Sequence, residues 1–404
     1  MKVSGLCKLP LRALALSTVV ATSVAVSHSA LAHSGYSPLN FKHLSTFDVM
    51  AGNGSGVAEI TDVSADGRQL VYTDASKGEI GFVDITHPAK PAGKGTVKVN
   101  GEPTSLIVRG SLVLVGVNTS ASFTQPSGKL VVVNRFSRQI VAEHDLGGQP
   151  DSLALAPDHR RAAIVIENER DEDSNDGLLP QAPTGALLIV DMKGQPQQWK
   201  IRAADLSPVA ASAPNGNDLE PEFVDINKQN EAVVTFQENN YLAVIDLVSG
   251  NTISHFPAGS VTPQNVDTNE EDAINFDSTI TKRRETGCRH LISNDVFATA
   301  NEGDYEDEYG ETGGSRSFTL FHQDGTVHYE SAESRTLAGI RRSLQRRPFR
   351  NKGCEPKVTV SAALATAPCC SWVQSAAMRW VSTTLPAAIP NRCRSCPPVS
   401  VRKV

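Results

Sequence analysis

The stretch that decides the fold runs from Pro221 to Asp246. It reads Pro221-Glu222-Phe223-Val224-Asp225-Ile226, then Ala232-Val233-Val234-Thr235-Phe236, then the polar turn Gln237-Glu238-Asn239-Asn240, and closes with Tyr241-Leu242-Ala243-Val244-Ile245-Asp246. Short β-branched and aromatic runs between polar turns read as strands. One such unit cannot bury both faces of its own small sheet, so repeated copies must share a core, stacked or closed in a ring.

The same phrase recurs along the chain. A first unit spans residues 56–99, turning at Ala65-Asp66-Gly67 and closing with Gly81-Phe82-Val83-Asp84-Ile85. The glycine suits a tight hairpin because it tolerates positive φ. A second unit opens at Glu102-Pro103-Thr104 and closes at Leu130-Val131-Val132-Val133-Asn134; a third opens at Gln149-Pro150-Asp151 and closes at Ala186-Leu187-Leu188-Ile189-Val190-Asp191. The closing residues Asp84, Asn134, Asp191 and Asp246 fall 50, 57 and 55 positions apart, a spacing that suits four-stranded propeller blades with variable loops. A looser fifth unit leads in at Ile274-Asn275-Phe276-Asp277, takes Val296-Phe297-Ala298-Thr299-Ala300 as its inner strand and closes at Ser317-Phe318-Thr319-Leu320-Phe321. A sixth begins at Asn351-Lys352-Gly353-Cys354-Glu355-Pro356. The expected fold is therefore all-β, a β-propeller with about five intact four-stranded blades of a ring that needs about seven.

The two ends differ from the body. Lys2, Lys8 and Arg12 precede an apolar run from Ala13 to Val26, and Ala30-Leu31-Ala32 offers a small-residue cleavage site, so residues 1–32 read as an export signal. The run is shorter than the roughly 20 residues a spanning helix needs, which predicts a periplasmic or extracellular mature chain without a membrane span. Residues 33–356 hold 29 basic and 44 acidic side chains, whereas residues 357–404 hold six basic and no acidic ones. An acidic body argues against nucleic acid and favours metal ions or cationic ligands. No feature calls for an oligomer, and a monomer is expected.

After Pro356 the strand-turn alternation stops and a Cys369-Cys370 doublet appears. Shifting the reading frame by one base at the Pro356 codon permits a peptide whose latter part repeats the blade phrase. Residues 357–404 are accordingly read as an out-of-frame, irregular tail, in which Cys393 and Cys396 are no metal motif. Only Cys288 and Cys354 then remain in the body, and an oxidising compartment lets them pair as a disulfide.

Several phrases carry a family resemblance: Pro221-Glu222, Gln237-Glu238-Asn239-Asn240 followed by an apolar strand and Asp246, Ala300-Asn301-Glu302-Gly303-Asp304-Tyr305, and Asn351-Lys352-Gly353-Cys354-Glu355-Pro356. Over about residues 45–356 the chain resembles the choice-of-anchor I family, secreted bacterial β-propeller domains often labelled alkaline phosphatase-like, with relatives resembling esterase-like phytase propellers. Where the family motif continues Glu-Pro-Glu-Gly, Lys357 follows Pro356 here. The resemblance implies an exported ligand-binding or interaction domain.

The chemistry is expected where polar groups at the ends of innermost strands converge on one mouth. Candidates are Glu222, Gln237, Glu238, Asn239, Asn240, Asn301 and Glu355, with Glu302 and Asp304 as metal ligands. Carboxylates sharing one cavity repel unless a proton or cation joins them, and Ca²⁺ is a fitting hard cation. Such an ion also polarises a phosphoryl oxygen, so the alternative reading is a Ca²⁺-dependent phosphoesterase. The turn-forming role of Asn239, Asn240 and Asn301 is the competing reading. Asp171 to Gly177 looks like a calcium loop but has Asp176 where glycine belongs and Ala182 at its twelfth position, so it reads as a solvated loop. No Gly-x-Ser-x-Gly elbow and no histidine metal spacing stand out.

Overall fold

The computed structural model describes residues 43–49, 58–171, 180–262, 264, 278–291, 293–301, 314–315, 317–331, 356–364, 367–374 and 379–383. The described residues fall within one compact unit, Leu39–Val404. The proposed signal (1–32), the lead-in Ile274 to Asp277, the residues Glu302, Asp304, Cys354 and Glu355, and the body of the Asp171 to Gly177 loop lie outside the described residues.

Five four-stranded antiparallel sheets follow one another, each a simple meander. Blade one is β1 (Thr61–Val63), β2 (Gln69–Asp74), β3 (Glu79–Asp84) and β4 (Ala92–Lys98). Blade two is β5 (Glu102–Arg109), β6 (Leu112–Asn118), β7 (Gly128–Asn134) and β8 (Gln139–Asp145). Blade three is β9 (Pro150–Leu155), β10 (Arg161–Ile166), β11 (Ala186–Asp191) and β12 (Lys200–Ala203), and blade four is β13 (Pro221–Ile226), β14 (Glu231–Phe236), β15 (Tyr241–Asp246) and β16 (Thr252–Pro257). A two-stranded link, β17 (Ser260–Val261) with β18 (Lys282–Arg283), leads to blade five: β19 (Thr286–Leu291), β20 (Val296–Asn301), β21 (Phe318–His322) and β22 (Val327–Glu330).

The first strand of each blade is the innermost, because β5, β9, β13 and β19 neighbour one another in succession. Hydrogen bonds knit these strands across blades. Val108 N donates to Asp62 Oδ2 (2.7 Å), Thr104 Oγ1 to the Pro150 carbonyl (2.7 Å), and Val224 N to Ser152 Oγ (3.3 Å).

Strand periodicity explains the core. Side chains alternate between faces, so Val71, Phe82, Val115 and Val131 fill the space between blades one and two, while Leu114, Val132, Ile164 and Val190 fill that between two and three. Val165, Ile189, Val234 and Phe236 pack between three and four, and Val233, Val244, Phe256, Phe297 and Phe321 between four and five. Val233 and Val244 are fully buried, as a shared core requires.

The aspartates and the asparagine expected to close the units do end the third strands. Asp84 Oδ1 accepts from Thr86 N, Asn134 Oδ1 from Phe136 N and Asp246 Oδ1 from Val248 N, each two residues on. These Asx turns send the chain outward to the last strand. Asp191 instead holds Arg161 and Arg202 at 3.1 and 3.0 Å. The outermost strands of the first three blades carry charge toward solvent: β4 has Lys94 and Lys98, β8 Glu143 and Asp145, and β12 Lys200 and Arg202.

Two segments depart from the sequence expectation. The innermost strand of blade five is Thr286–Leu291, and Val296–Asn301 is its second strand rather than its inner one. Thr286-Gly287-Cys288-Arg289 lacks the apolar run that marks the other inner strands, which hides it. The composition of the tail leads one to expect irregular chain, yet its described residues form a three-stranded antiparallel meander, β23 (Pro356–Leu364), β24 (Ala367–Gln374) and β25 (Arg379–Thr383), with β23 beside β19. Val358, Thr359 and Val360 are β-branched and favour extended backbone wherever they occur.

Candidate functional site

The Pro-acid step of each blade sits at the start of its inner strand, opposite the end of the second strand: Pro150 pairs with Ile166, and Pro221 with Phe236. Polar residues flanking those positions therefore gather at one end of neighbouring blades. In blade four they include Glu222 on β13, then Gln237 and Glu238 in the turn after β14. Both glutamates are half-buried.

The asparagines are committed to holding this geometry. Asn239 is fully buried; its Oδ1 accepts from Glu220 N (3.0 Å), and its Nδ2 donates to the carbonyls of Pro214 (2.9 Å) and Asp218 (3.1 Å). Blade three repeats the device, with Asn168 Oδ1 accepting from Gln149 N at 3.0 Å. Asn240 adopts φ +48, a left-handed conformation that asparagine tolerates, and ties blade four onward through Glu285 N and the Gly259 carbonyl. Asn301 lies inside blade five, bonded to Thr299, Ser317 and Thr319. All three side chains thus act as backbone or network pins.

The carboxylates make a different arrangement. Asp151 and Glu167 in blade three, and Glu220 and Glu238 in blade four, share one seam with Glu169 and Asp218. Arg170 reaches across from blade three, ion-pairing with Glu220 and with Asp218 Oδ2 (3.3 Å), and donating to the Asp218 carbonyl. Arg283 approaches from the far side, its Nη2 donating to the Glu238 carbonyl at 2.8 Å. Burial pushes Asp151 up to about 7, helped by Glu169. Glu220 is pushed up to about 8, first by burial, with Arg170 pulling down and Glu238, Asp218 and Glu169 pushing up. Glu167 is raised too, by burial and then by Asp151, Glu220, Glu169 and Glu238. Desolvation and like charge both favour the neutral acid or a bound cation. Asp151 and Glu167 nevertheless keep part of their surface exposed, and Glu169 is exposed, so the seam is reachable from solvent.

The sequence reading brought Glu222, Gln237 and Glu238 to this end of the fold but passed over Asp151, Glu167, Glu169, Asp218, Glu220 and Arg170. Internal comparison carries the missing signal: Gln149-Pro150-Asp151 matches Glu220-Pro221-Glu222, and Glu167-Asn168 matches Glu238-Asn239. Among the described residues no three His, Cys, Asp or Glu side chains converge closely enough to hold a metal ion as they stand. The metal candidates Glu302 and Asp304, with Glu355 and the Cys288–Cys354 pairing, fall outside what the described side chains reach.

Meandering four-stranded sheets with successive inner strands and intervening shared cores define a β-propeller-type protein. The model of the choice-of-anchor I domain matches residues 59–336, and the chain belongs to that family, whose domains are typically found on exported proteins. No curated protein matches the chain. Among solved structures it is similar to U3-55K (8% identity, TM-score 0.50, covering 80% of this chain and 76% of that one). It is also similar to the Pan2 WD40 domain of Neurospora crassa (8% identity, TM-score 0.47, 81% and 75%) and to hydrazine synthase of Kuenenia stuttgartiensis (15% identity, TM-score 0.49, 81% and 76%). At these identities the likeness concerns the fold alone. Among the described residues no helix is long and apolar enough to cross a membrane.

Proposed function

We propose that this chain is the binding domain of an exported protein and that the acidic seam between blades three and four takes up a positively charged ligand, with Ca²⁺ as its simplest occupant. The observation that carries this reading is the mutual crowding of Asp151, Glu167, Glu169, Glu220 and Glu238, with Arg170 ion-paired to Glu220 and Asp218 and Arg283 at the Glu238 carbonyl. A cation entering there replaces protons on acids that burial and mutual repulsion hold in the neutral form. Glu167 and Glu238 supply oxygen donors from equivalent positions in two blades, and the asparagine pins keep their turns in place. The catalytic alternative needs Glu302 and Asp304 as well and rests on residues beyond the described set.

Calorimetric titration of the chelator-treated full chain with CaCl2 tests the reading. One equivalent of heat, lost or weakened at least tenfold in Glu167→Gln and Glu238→Gln, is expected. A bound state at 100 times the dissociation constant adds about 2.7 kcal/mol to stability, so the unfolding midpoint rises with calcium in the native chain and not in the variants. Absence of heat and of any calcium-dependent midpoint, with the far-ultraviolet dichroism of a folded β protein intact, removes the proposal.

A further inference from the structure

The last hairpin of blade five brings two histidines together that lie six residues apart in the chain. The turn between β21 and β22 is closed by His322 N to the Thr326 carbonyl (2.8 Å), Gly325 N to the His322 carbonyl (3.0 Å) and Thr326 N to Asp324 Oδ1 (2.9 Å). This places His322 Nε2 3.2 Å from His328 Nδ1, with the two rings nearly perpendicular at 83°. On its other side, His322 Nδ1 lies 2.9 Å from Asp295 Oδ2. A carboxylate only accepts, so Nδ1 carries the hydrogen, and a neutral His322 ring presents its lone pair at Nε2, toward His328. The main chain of Asp295 is held in place, its carbonyl accepting from Gln323 N at 3.0 Å.

We infer that His322 and His328 form a binding site for a divalent transition-metal ion on blade five, oriented by Asp295. Two Zn–N bonds of about 2.0–2.1 Å meeting at a tetrahedral angle set their nitrogens roughly 3.3 Å apart, and the observed separation of 3.2 Å already matches. Binding needs the rings to turn so that both lone pairs meet at one point. A proton on His328 Nδ1 passes by way of solvent to Nε2, leaving the ring neutral while the metal takes its place. Asp295 then serves the role that carboxylates serve behind metal-bound imidazoles, fixing the tautomer and raising ligand basicity. Asp324, two residues on, adds a second carboxylate to the same turn. A depression of about 480 Å³ lined by Ser254, Asp295, His322, Gln323 and Asp324 opens the His322 side of the pair to solvent. Imidazole nitrogens select Zn²⁺, Cu²⁺ and Ni²⁺ rather than Ca²⁺, so the site is chemically distinct from the acidic seam and does not depend on it.

The test uses the full chain without a histidine tag, stripped with chelator. Titration with ZnCl2 should show one equivalent bound, with His322→Ala and His328→Ala each abolishing that equivalent and His87→Ala, at an exposed position, leaving it unchanged. Asp295→Asn should bind about 10–100-fold more weakly, and Cu²⁺ should give electron paramagnetic resonance hyperfine structure from two nitrogens, reduced in either alanine variant. Far-ultraviolet dichroism of each variant confirms folding; these side chains are partly exposed, and their removal opens no core. No equivalent bound by the native chain, an equivalent that survives His328→Ala, or an Asp295→Asn affinity equal to the native one each overturns the inference and leaves an ordinary imidazole–imidazole hydrogen bond.

Discussion

Raising the pH from 5.5 to 9 should weaken this fold through the seam between blades three and four. Carboxyl groups in an unfolded chain titrate near 4, whereas Asp151 is pushed up to about 7, Glu220 to about 8, and Glu167 moves the same way. The folded state therefore holds protons that the unfolded state has already released. Stability from such groups is complete below the unfolded value and is lost as the pH climbs through the folded one. Even one retained proton gives a slope of about −1.4 kcal/mol per pH unit, or about 3 kcal/mol between pH 5.5 and 7.5. Acids shifted the other way do not blur the test. Asp84 is drawn down to about 2 by the Thr86 N–H, then by the Thr86 hydroxyl and Lys94, and Asp66, Asp205, Asp246 and Asp324 are lowered as well. Their contribution disappears only as the pH falls through their depressed values, below the window used. Urea midpoints at half-unit steps, followed by dichroism in the presence of EDTA, read the slope directly. Asp151→Asn or Glu220→Gln, neutral at every pH, should flatten it, and saturating calcium should do the same if the seam holds a cation. A midpoint that stays level or climbs between pH 5.5 and 8 would falsify the account of the seam.

Three further outcomes follow from the packing and the turns. Asn239→Ala removes three hydrogen bonds, to Glu220 N and the carbonyls of Pro214 and Asp218, and should cost about 2–3 kcal/mol in a urea titration; a loss under 0.5 kcal/mol contradicts its role as a pin. Phe321 lies against Phe256 and Phe297 at ring-centroid distances of 6.0 and 5.6 Å, so Phe321→Ala should destabilise by about 3–5 kcal/mol, and a near-native midpoint would refute the shared core of blades four and five. If the tail is out of frame, sequencing across the Pro356 codon should reveal one base missing from a frame that continues Glu-Gly, whereas a C-terminal peptide beginning at Lys357 in protein from the native source removes that reading.

The fold was legible because its core strands alternate strictly. Val233 and Val244 face one neighbour while Val234 and Ile245 face the other, and both faces being apolar is what betrays a sheet covered on two sides. Strands without that burden were not legible. β4 reads Ala-Gly-Lys-Gly-Thr-Val-Lys, and β19 starts Thr-Gly-Cys-Arg; each owes its pairing to the strand beside it rather than to its own composition. The tail shows the converse, for Val358-Thr359-Val360 brings its own preference for extended backbone to its pairing with Ser371-Trp372-Val373. At the site, Glu222 and Glu238 were visible through the Pro-acid step and the acidic turn. Asp151 and Glu167 were obscured because blade three announces itself by its apolar strands. The contact of Arg170 with Glu220 spans 50 residues and two blades, a pairing that no local pattern encodes. The asparagines drew notice as polar residues near a mouth, yet the amides of Asn239 and Asn240 are spent on main-chain partners and that of Asn301 on hydroxyls within its own blade.

The charged outer strands have a consequence for the molecule in concentrated solution. A second molecule docking sideways onto β4 would have to disturb the ion pairs of Lys94 with Asp84 and Lys98 with Glu79, and one docking onto β12 that of Arg202 with Asp191 as well as the hydration of Lys200. Lateral zippering into fibrils is thereby penalised at each of those rims.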